Sequence, residues 1–244
     1  MSTQIMKNSH NGAPRVVWCG YRDWSDRLLE LVREGGKAEI VACFSDPRVF
    51  ADFMSTTPQV DVIVLAGWSW KIQAAIVERY PCIGLHPSDL PKYRGGSPLQ
   101  HQIIDGVTET QCSLFQLSQE FDEGPVLAKA PMSLAGNMHD IFNELIRVGA
   151  ELLNRSFLDW PNWHPEKQDN TLGFVRKRRK MEQSRLEPNM FQTHSLEDLY
   201  NIIRALGDPY PNAYIEDEKG NRMLFKEVAF IPGNPGALTV KGNQ

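Results

Sequence analysis

A histidine and an aspartate stand at two points of the sequence where a strand-like run gives way to a loop. His86 ends an apolar run that begins at Pro81, and Asp122 lies in an acidic turn at residues 121–125. A carboxylate beside an imidazole fixes the tautomer of the ring and stabilises its charged form. Such a pair suits proton transfer around a tetrahedral intermediate, as in acyl transfer. The sequence leaves open whether the two side chains meet or are unrelated loop residues.

The elements before His86 predict the kind of fold that could position it. Apolar runs at residues 16–19, 40–44, 61–66 and 82–85 alternate with helical patterns near 25–35, 47–53 and 70–79, the first of them capped by Ser25 and stopped at Gly35 and Gly36. Continuous apolar strands that alternate with helices are typical of βαβ units and of a sheet buried on both faces. Ligands of such sheets bind beyond the carboxyl ends of the strands, which is where His86 lies. We therefore predict an α/β fold with a Rossmann-like, mostly parallel sheet.

The second half of the chain predicts further elements and a division into parts. In residues 98–160 we expect a helix at 98–104, a half-exposed strand at 110–117, a strand at 126–130 and a long helix capped by Asn137. Further along, we expect a helix that begins with a Ser195–Asp198 capping box and stops at Gly207, followed by strands at 213–216 and 223–231. We predict three parts along the chain. They are a disordered leader at residues 1–13, a catalytic domain at residues 14–165, and a small C-terminal α+β subdomain at residues 166–244.

Composition excludes several classes of function. The chain has 244 residues, of which 41% are apolar and 23% charged, and its net charge is −4. A chain of this length can bury one substantial core with a small appended subdomain. Its longest apolar runs are too short to cross a bilayer, so we expect no membrane partner. Its acidic balance argues against nucleic acid as a partner.

Cofactor motifs are absent from the sequence. The four cysteines (Cys19, Cys43, Cys82 and Cys112) are widely spaced and form no CxxC pair. This pattern indicates buried thiols in a reducing cytoplasm, and it gives no reason to expect a metal. The first strand is followed by Gly20, Tyr21 and Arg22 instead of GxGxxG, which disfavours a nicotinamide enzyme.

Two groups of basic residues are candidates for anion binding. Arg22 precedes a helix N-terminus and could meet an anionic ligand there, or could simply be solvated. Residues 176–180 are five consecutive cations. Such a run is compatible with a nucleic-acid patch, but in a net-acidic chain we favour a solvated strand edge.

The loop around His86 resembles the signature loop of the folate-dependent formyltransferases. This family includes methionyl-tRNA formyltransferase, glycinamide ribonucleotide formyltransferase and the nucleotide-sugar N-formyltransferases. The likeness rests on Leu85-His86-Pro87-Ser88, Leu90-Pro91, Tyr93-Arg94-Gly95, Pro98, Gly106, Glu109-Thr110, Asp122-Glu123-Gly124, Lys177-Arg178-Arg179, Ser184-Arg185, Ile203-Arg204-Ala205-Leu206 and Asp208-Pro209-Tyr210-Pro211. It covers nearly the whole chain from residue 15, and its specificity lies in the ordered set.

The resemblance implies roles for particular residues. The donor would be 10-formyltetrahydrofolate and the acceptor a primary amine. His86 matches the family histidine, which stabilises the oxyanion or delivers a proton, and Asp122 matches the aspartate that orients this histidine and assists proton removal from the amine. The residues that correspond to the pterin-binding segments are Trp68, Ser69, Trp70 and Gly124. Ordinary packing is the alternative for the two tryptophans.

One position departs from the family pattern. The family motif is Asn-X-His, in which the asparagine amide holds the developing oxyanion, and Gly84 stands at that place. Loss of a preorganised donor costs on the order of 3 kcal/mol of transition-state stabilisation. Either another donor or an ordered water replaces it, or the reaction is slow, or the protein has another role. The intact His86 and Asp122 favour the first of these.

The short C-terminal part and the negative charge favour a particular acceptor. The chain looks most like enzymes that formylate a nucleotide-linked 4-amino-4,6-dideoxy sugar for surface glycans or flagellin modification. The segments around Arg22 and Gly96 resemble pseudaminic-acid-type enzymes that act on a UDP-linked sugar, while dTDP- and GDP-sugars stay open. The residues expected to contact this substrate are Arg22, Lys92, Arg94, Gly96 and Ser97, with the diphosphate at the cations.

Alternatives of other classes are a methionyl-tRNA formyltransferase-like enzyme, a non-catalytic folate- or nucleotide-binding relative, and a formyltetrahydrofolate hydrolase. A tRNA enzyme would need a basic surface for phosphate neutralisation. We also predict a homodimer through the C-terminal helix and hairpin, because Phe225, Phe230 and Ile231 lie on a segment too small to form a core of its own.

Overall fold

The computed structural model describes residues 12–233, which divide into two compact units between Arg179 and Lys180. The predicted leader therefore lies outside the described residues, apart from residues 12 and 13. The two units are described separately below.

The first unit is built on a mixed sheet of six strands. The strands of this sheet are β1 (Arg15–Cys19), β2 (Glu39–Phe44), β3 (Val62–Leu65), β4 (Cys82–His86), β6 (Glu109–Gln116) and β7 (Val126–Ser133), in the order β2-β1-β3-β4-β6-β7. The first four are parallel to one another, and β6 and β7 are antiparallel additions. This confirms the predicted α/β fold with a mostly parallel, Rossmann-like half.

Helices connect the strands, and one short strand pair lies outside the sheet. The helices are α1 (Asp23–Gly35), α2 (Pro47–Ser55), α3 (Ala74–Arg79), α4 (Pro98–Ile104) and α5 (Met138–Leu158). The outlying pair, β5 (Arg94–Gly95) and β8 (Val175–Arg176), is parallel. The pair joins the loop after β4 to the basic run near the end of the first unit.

Alternate residues of the buried strands face opposite layers of helices. Val17, Ile63 and Cys82 pack with α2 and α3 in one hydrophobic cluster. On the other face, a Cβ placed on Gly149 of α5 would lie 2.8 Å from Leu85, so this helix lies directly on the sheet. Because side chains alternate along a strand, His86 shares the face of Cys82.

Three local predictions were wrong because tertiary contacts decide the outcome. Ser25 does not cap α1; it is fully buried, and its hydroxyl accepts a hydrogen bond from the Trp18 indole at 3.1 Å. The helix expected at 70–79 begins only at Ala74, because Trp68 and Trp70 pack against each other at 4.9 Å in an extended segment. The strand at 109–116 is largely buried instead of half-exposed, because it lies between β4 and β7.

The second unit contains a small core under one helix and one hairpin. Its elements are α6 (Met190–Thr193), α7 (Leu196–Arg204), β9 (Ala213–Glu216) and β10 (Arg222–Phe225). The capping box of Ser195 and Asp198 is confirmed, whereas the helix ends at Arg204, before Gly207. The last strand ends at Phe225, far short of the predicted residue 231.

Residues 166–179 belong to the first unit, although the sequence analysis placed the domain boundary at residue 165. The backbone of Glu166 pairs with Val126, and β8 pairs with β5. These backbone hydrogen bonds attach the segment to the loops that surround His86.

Candidate active site

His86 is held at the end of β4 with one defined ring orientation. The side chain is buried, and its Nε2 lies 2.9 Å from the carbonyl oxygen of Tyr93. Because a carbonyl can only accept a hydrogen bond, Nε2 carries the proton of this pair. The second ring nitrogen, Nδ1, lies on the side of the ring that faces Asp122.

Asp122 lies opposite that nitrogen. Its Oδ2 is 3.7 Å from Nδ1 of His86 and accepts a hydrogen bond of 2.8 Å from the Gly95 backbone N–H. The first distance is that of an ion pair, longer than a hydrogen bond, and catalytic contacts of unliganded enzymes commonly tighten only when substrate binds. The fold thus brings together the two side chains that the sequence pairs.

The loop that carries Asp122 requires a glycine two positions later. A Cβ on Gly124 would lie 1.8 Å from the carbonyl oxygen of Gln116, so no other residue fits this close approach. Asp122 itself has a left-handed backbone conformation, with φ of 55°. The amide of Gln168 donates to the carbonyl oxygens of Asp122 at 2.8 Å and of Gly124 at 2.7 Å. No local sequence pattern points to Gln168, which lies in a polar stretch of the chain.

The structure leaves no room for a side chain at position 84, where the resemblance implies an asparagine. A Cβ there would lie 2.7 Å from Cε1 of Phe115 and 3.2 Å from a methyl group of Leu117. The Phe115 ring also meets the His86 ring edge-on, with centroids 6.3 Å apart. An aromatic ring therefore fills the space into which a side chain at position 84 would extend.

An aromatic row lines the edge of the sheet beside β3. The ring centroids of Tyr21 and Trp70 are 4.6 Å apart, and Trp68 contacts both Trp70 and Phe50. Trp70 is 41% exposed, so one aromatic face is open to a ligand. The buried Nε1 of Trp68 has no hydrogen-bond partner among the described residues. Trp68 and Trp70 pack against neighbouring rings, as the alternative of ordinary packing predicts. Trp70 also has exposed ring surface, and Trp68 has an indole N–H without a partner among the described residues.

Ser69 joins this row to two arginines. Its hydroxyl shares a hydrogen bond of 2.6 Å with the Tyr21 hydroxyl and accepts one of 3.1 Å from Arg178. The guanidinium of Arg22 lies 4.5 Å from the Tyr21 ring centroid. Burial alone would raise the pKa of the Tyr21 phenol, but the hydrogen bond to Ser69 and the two arginine charges together lower it. Neither arginine forms an ion pair with any acid in residues 12–233.

Arg94 is not placed to contact a substrate, contrary to the sequence analysis. Its side chain is only 3% exposed and lies 3.4 Å from Glu123. It donates to Gln168 at 2.7 Å and 3.1 Å and to Asn170 at 2.7 Å. The Arg94 guanidinium thus links three protein side chains and is not accessible to a phosphate group of a ligand.

Three of the other predicted substrate residues also have contacts within the protein. The N–H of Gly96 donates to the Arg176 carbonyl at 2.9 Å, and the Ser97 hydroxyl accepts from the Arg179 N–H at 3.1 Å, so both attach the basic run to the loop. Lys92 lies 3.7 Å from Asp89 and lines a cavity of about 520 Å³ that neither His86 nor Asp122 lines. Of the five predicted substrate contacts, only Arg22 is both exposed and free of an ion pair.

The four cysteines are free thiols, and three of them are buried. Cys19, Cys82 and Cys112 are buried, and burial raises the pKa of the Cys82 thiol to about 12. The expectation of a buried thiol was wrong for Cys43, which is exposed near Arg33. Within the described part of the chain, no group of three or more His, Cys, Asp or Glu residues could hold a metal ion. No helix of the same part is long and apolar enough to cross a membrane.

Comparison with known proteins agrees with this arrangement. Residues 51–140 match the sequence model of the family described as formyl transferase. The methionyl-tRNA formyltransferase of Rickettsia prowazekii is 30% identical over 187 residues, which is 71% of this chain and 59% of that protein. The chain thus spans about three fifths of this curated relative.

Solved structures of formyltransferases have a fold similar to that of this chain. A methionyl-tRNA formyltransferase from Clostridium thermocellum superposes with a TM-score of 0.77 at 27% identity, covering 91% of this chain and 95% of that one. A 4-N formyltransferase from Francisella tularensis has a TM-score of 0.71 at 18% identity, covering 89% and 99%. HypX from Aquifex aeolicus, in complex with tetrahydrofolic acid, has a TM-score of 0.67 at 18% identity, covering 84% and 36%. The sequence match over residues 51–140 and the shared fold relate the chain to the formyl transferases.

Proposed function

We propose that the protein transfers a formyl group from 10-formyltetrahydrofolate to a primary amine, with His86 and Asp122 as its catalytic residues. The observation that carries this proposal is the placement of Nδ1 of His86 opposite the Asp122 carboxylate at the carboxyl edge of β4. The family match supplies the reaction class. When bound, the folate supplies the formyl group.

The chain's own residues would manage the protons of this transfer. Asp122 would accept a proton from the incoming amine, because its carboxylate is partly exposed and already oriented by the Gly95 N–H. His86 would hold or release a proton at Nδ1, since its other nitrogen is engaged by Tyr93. A proton held at Nδ1 would also stabilise the developing oxyanion in place of the missing asparagine amide.

The residues of the aromatic row fit the folate. Trp68 offers a buried N–H with no partner in residues 12–233, and Trp70 offers an exposed ring face. A pterin is a flat ring system with several acceptors, so stacking and one buried donor suit it. The structural relative HypX is described with tetrahydrofolic acid bound, which supports the same ligand here.

For the acceptor we propose a nucleotide-linked 4-amino-4,6-dideoxy sugar, in surface glycan or pseudaminic-acid-type biosynthesis, with UDP, dTDP or GDP as the nucleotide. Arg22 and Arg178 would bind the diphosphate, because Arg22 lies over the Tyr21 ring, Arg178 donates to Ser69, and neither is neutralised by a described acid. Arginine binds phosphate oxygens in a bidentate way. A structural relative from Shewanella, with a TM-score of 0.69 at 15% identity, is described as a sugar N-formyltransferase, which supports this acceptor class.

A methionyl-tRNA acceptor is the second candidate, because the curated relatives carry that name. The net charge of −4 argues against it, since tRNA binding depends on phosphate neutralisation. A folate- or nucleotide-binding relative without catalysis, and a formyltetrahydrofolate hydrolase, are the remaining alternatives. Turnover with an amine acceptor excludes both.

The acceptor is tested by mass spectrometry with 10-formyltetrahydrofolate, a panel of UDP-, dTDP- and GDP-linked 4-amino sugars, and methionyl-tRNA. Arg178→Gln and Arg22→Gln should raise the KM for the sugar nucleotide about tenfold each and leave the KM for folate unchanged, as expected for one lost charged hydrogen bond. Lys177→Gln, which removes an exposed cation of the same run, is the matched control. Formylation of methionyl-tRNA alone would replace the sugar by tRNA as the acceptor.

We further propose that the protein is a cytoplasmic homodimer. The reduced cysteines of the described residues are compatible with that compartment. Of the residues that suggested a dimer, Phe225 packs on the core of the second unit and Phe230 stacks on Tyr200 at 5.7 Å, while Ile231 is 86% exposed. Met223 and Leu224 on β10 are each 54% exposed and, as neighbours along a strand, project to opposite sides of the hairpin.

A further inference from the structure

A continuous series of hydrogen bonds connects the buried Arg94 to the loop that carries Asp122. Nε and Nη2 of Arg94 both donate to Oε1 of Gln168, at 3.1 Å and 2.7 Å. Nε2 of Gln168 then donates to the carbonyl oxygens of Asp122 and Gly124, at 2.8 Å and 2.7 Å. One side-chain amide thus bridges a buried cation and both ends of a three-residue turn.

The amide of Gln168 can adopt only one orientation in this arrangement. An arginine only donates hydrogen bonds, and a backbone carbonyl only accepts them. The oxygen of the amide must therefore face Arg94, and its nitrogen must face the turn. Reversal would place like groups against each other on both sides, so Arg94 determines how Gln168 meets the turn.

The turn needs such support because its conformation is unusual. Asp122 has a φ of 55°, a region that residues other than glycine rarely adopt. Conformations of this kind persist where surrounding contacts determine them, and they occur frequently at functional sites. The two carbonyl hydrogen bonds from Gln168 lie on either side of the peptide units that hold this conformation.

One short segment, residues 93–95, contacts both members of the acid–base pair. The Tyr93 carbonyl oxygen fixes Nε2 of His86, and the Gly95 N–H fixes Oδ2 of Asp122. Arg94, between them in sequence, points the other way and holds the turn through Gln168. A change in the Arg94–Gln168 contact would therefore alter the distance between Nδ1 and the carboxylate.

We propose that Gln168 is a positioning residue for Asp122, and that Arg94 orients it for this role. The proposal rests on the proposed formyl transfer, because it concerns the geometry of the same pair. Gln168 touches neither the reacting atoms nor His86. It acts on the proton-transfer step by holding the backbone of Asp122.

The test is an isosteric substitution, Gln168→Glu. The carboxylate keeps the oxygen that accepts from Arg94 but turns a second oxygen toward the two carbonyls in place of a donor. We expect kcat to fall about 100-fold, as is typical when a catalytic group is displaced by about 1 Å, with the KM for both substrates nearly unchanged. Asn170→Ala is the matched control, because it removes another acceptor of Arg94 and leaves the turn untouched. It should retain kcat within about twofold.

A double-mutant cycle separates positioning from a general effect on folding. In an Asp122→Asn background, Gln168→Glu should lower kcat no further, since the group that it positions is already disabled. Equal losses in both backgrounds, or an unchanged kcat in the single variant, would overturn the proposal. A wild-type protein that formylates no amine would instead remove the proposed function, so the two failures are distinguishable.

Discussion

At the scale of single residues, the exchange of an asparagine for Gly84 is coupled to Phe115. The ring of Phe115 occupies the space beside Gly84 and contacts the edge of His86. An apolar ring against the imidazole excludes water from that face of the site. The absence of a side chain at position 84 and the presence of the Phe115 ring are therefore coupled. A side chain can be introduced at position 84 only if the Phe115 ring is made smaller.

Gly84→Asn should consequently lower activity instead of raising it. A side chain at this position would overlap Phe115, where a Cβ already lies 2.7 Å from Cε1, and overpacking of a core costs roughly 1–3 kcal/mol. Thermal unfolding and formyl-transfer kinetics would measure both effects. The double variant Gly84→Asn with Phe115→Ala, which makes room, should recover part of the activity. A single variant that is stable and faster than wild type would contradict this interpretation of position 84.

At the scale of elements, α5 shows how a sequence signal secures the scaffold beneath the site. The Asn137 side chain accepts from the Asp140 N–H at 3.1 Å, and the Asp140 carboxylate accepts from the Asn137 N–H at 3.0 Å. This capping box starts the helix that packs on Leu85, immediately before His86. The cap contributes to stability and not to chemistry.

Asn137→Ala should destabilise the protein by about 1 kcal/mol and lower the Tm by about 2–4 °C, because the Asp140 N–H at the helix start loses its acceptor. The kcat at 25 °C should stay at the wild-type value. Asn162→Ala, the same chemical change at an exposed position outside a helix, should leave the Tm within 1 °C as the control. An unchanged Tm in Asn137→Ala would mean that water replaces the cap without loss.

At the scale of the whole molecule, the surface of the hairpin in the second unit predicts association. Met223→Glu with Leu224→Glu should convert the protein to monomers, because charges on a buried apolar face are costly. Sedimentation velocity at micromolar concentration would show the change. Leu172→Glu, at an apolar residue of the first unit that is 61% exposed, is the control and should leave the association state unchanged. A wild-type protein that is monomeric at this concentration would refute the dimer.

Sequence patterns predicted the elements whose signals are local. The parallel strands and the caps of α5 and α7 follow from periodicity and capping residues, whereas the sequence left open whether His86 meets Asp122. Long-range packing decided the rest: Trp68 and Trp70 prevent a helix at 70–73, and Ser25 binds an indole instead of capping. Gln168 and the burial of Arg94 depend on contacts between segments far apart in the chain, to which no local pattern refers.

The proposed role of His86 in formyl transfer is tested most directly by comparing wild type with His86→Asn. Asparagine can still donate to the Tyr93 carbonyl but cannot take up a proton opposite Asp122. With 10-formyltetrahydrofolate and the amino-sugar panel, wild type should add one formyl group to an acceptor, and His86→Asn should be slower by about 10²–10⁴-fold. His139→Asn, on the exposed face of α5, should match wild type. Equal rates for wild type and His86→Asn would contradict the account.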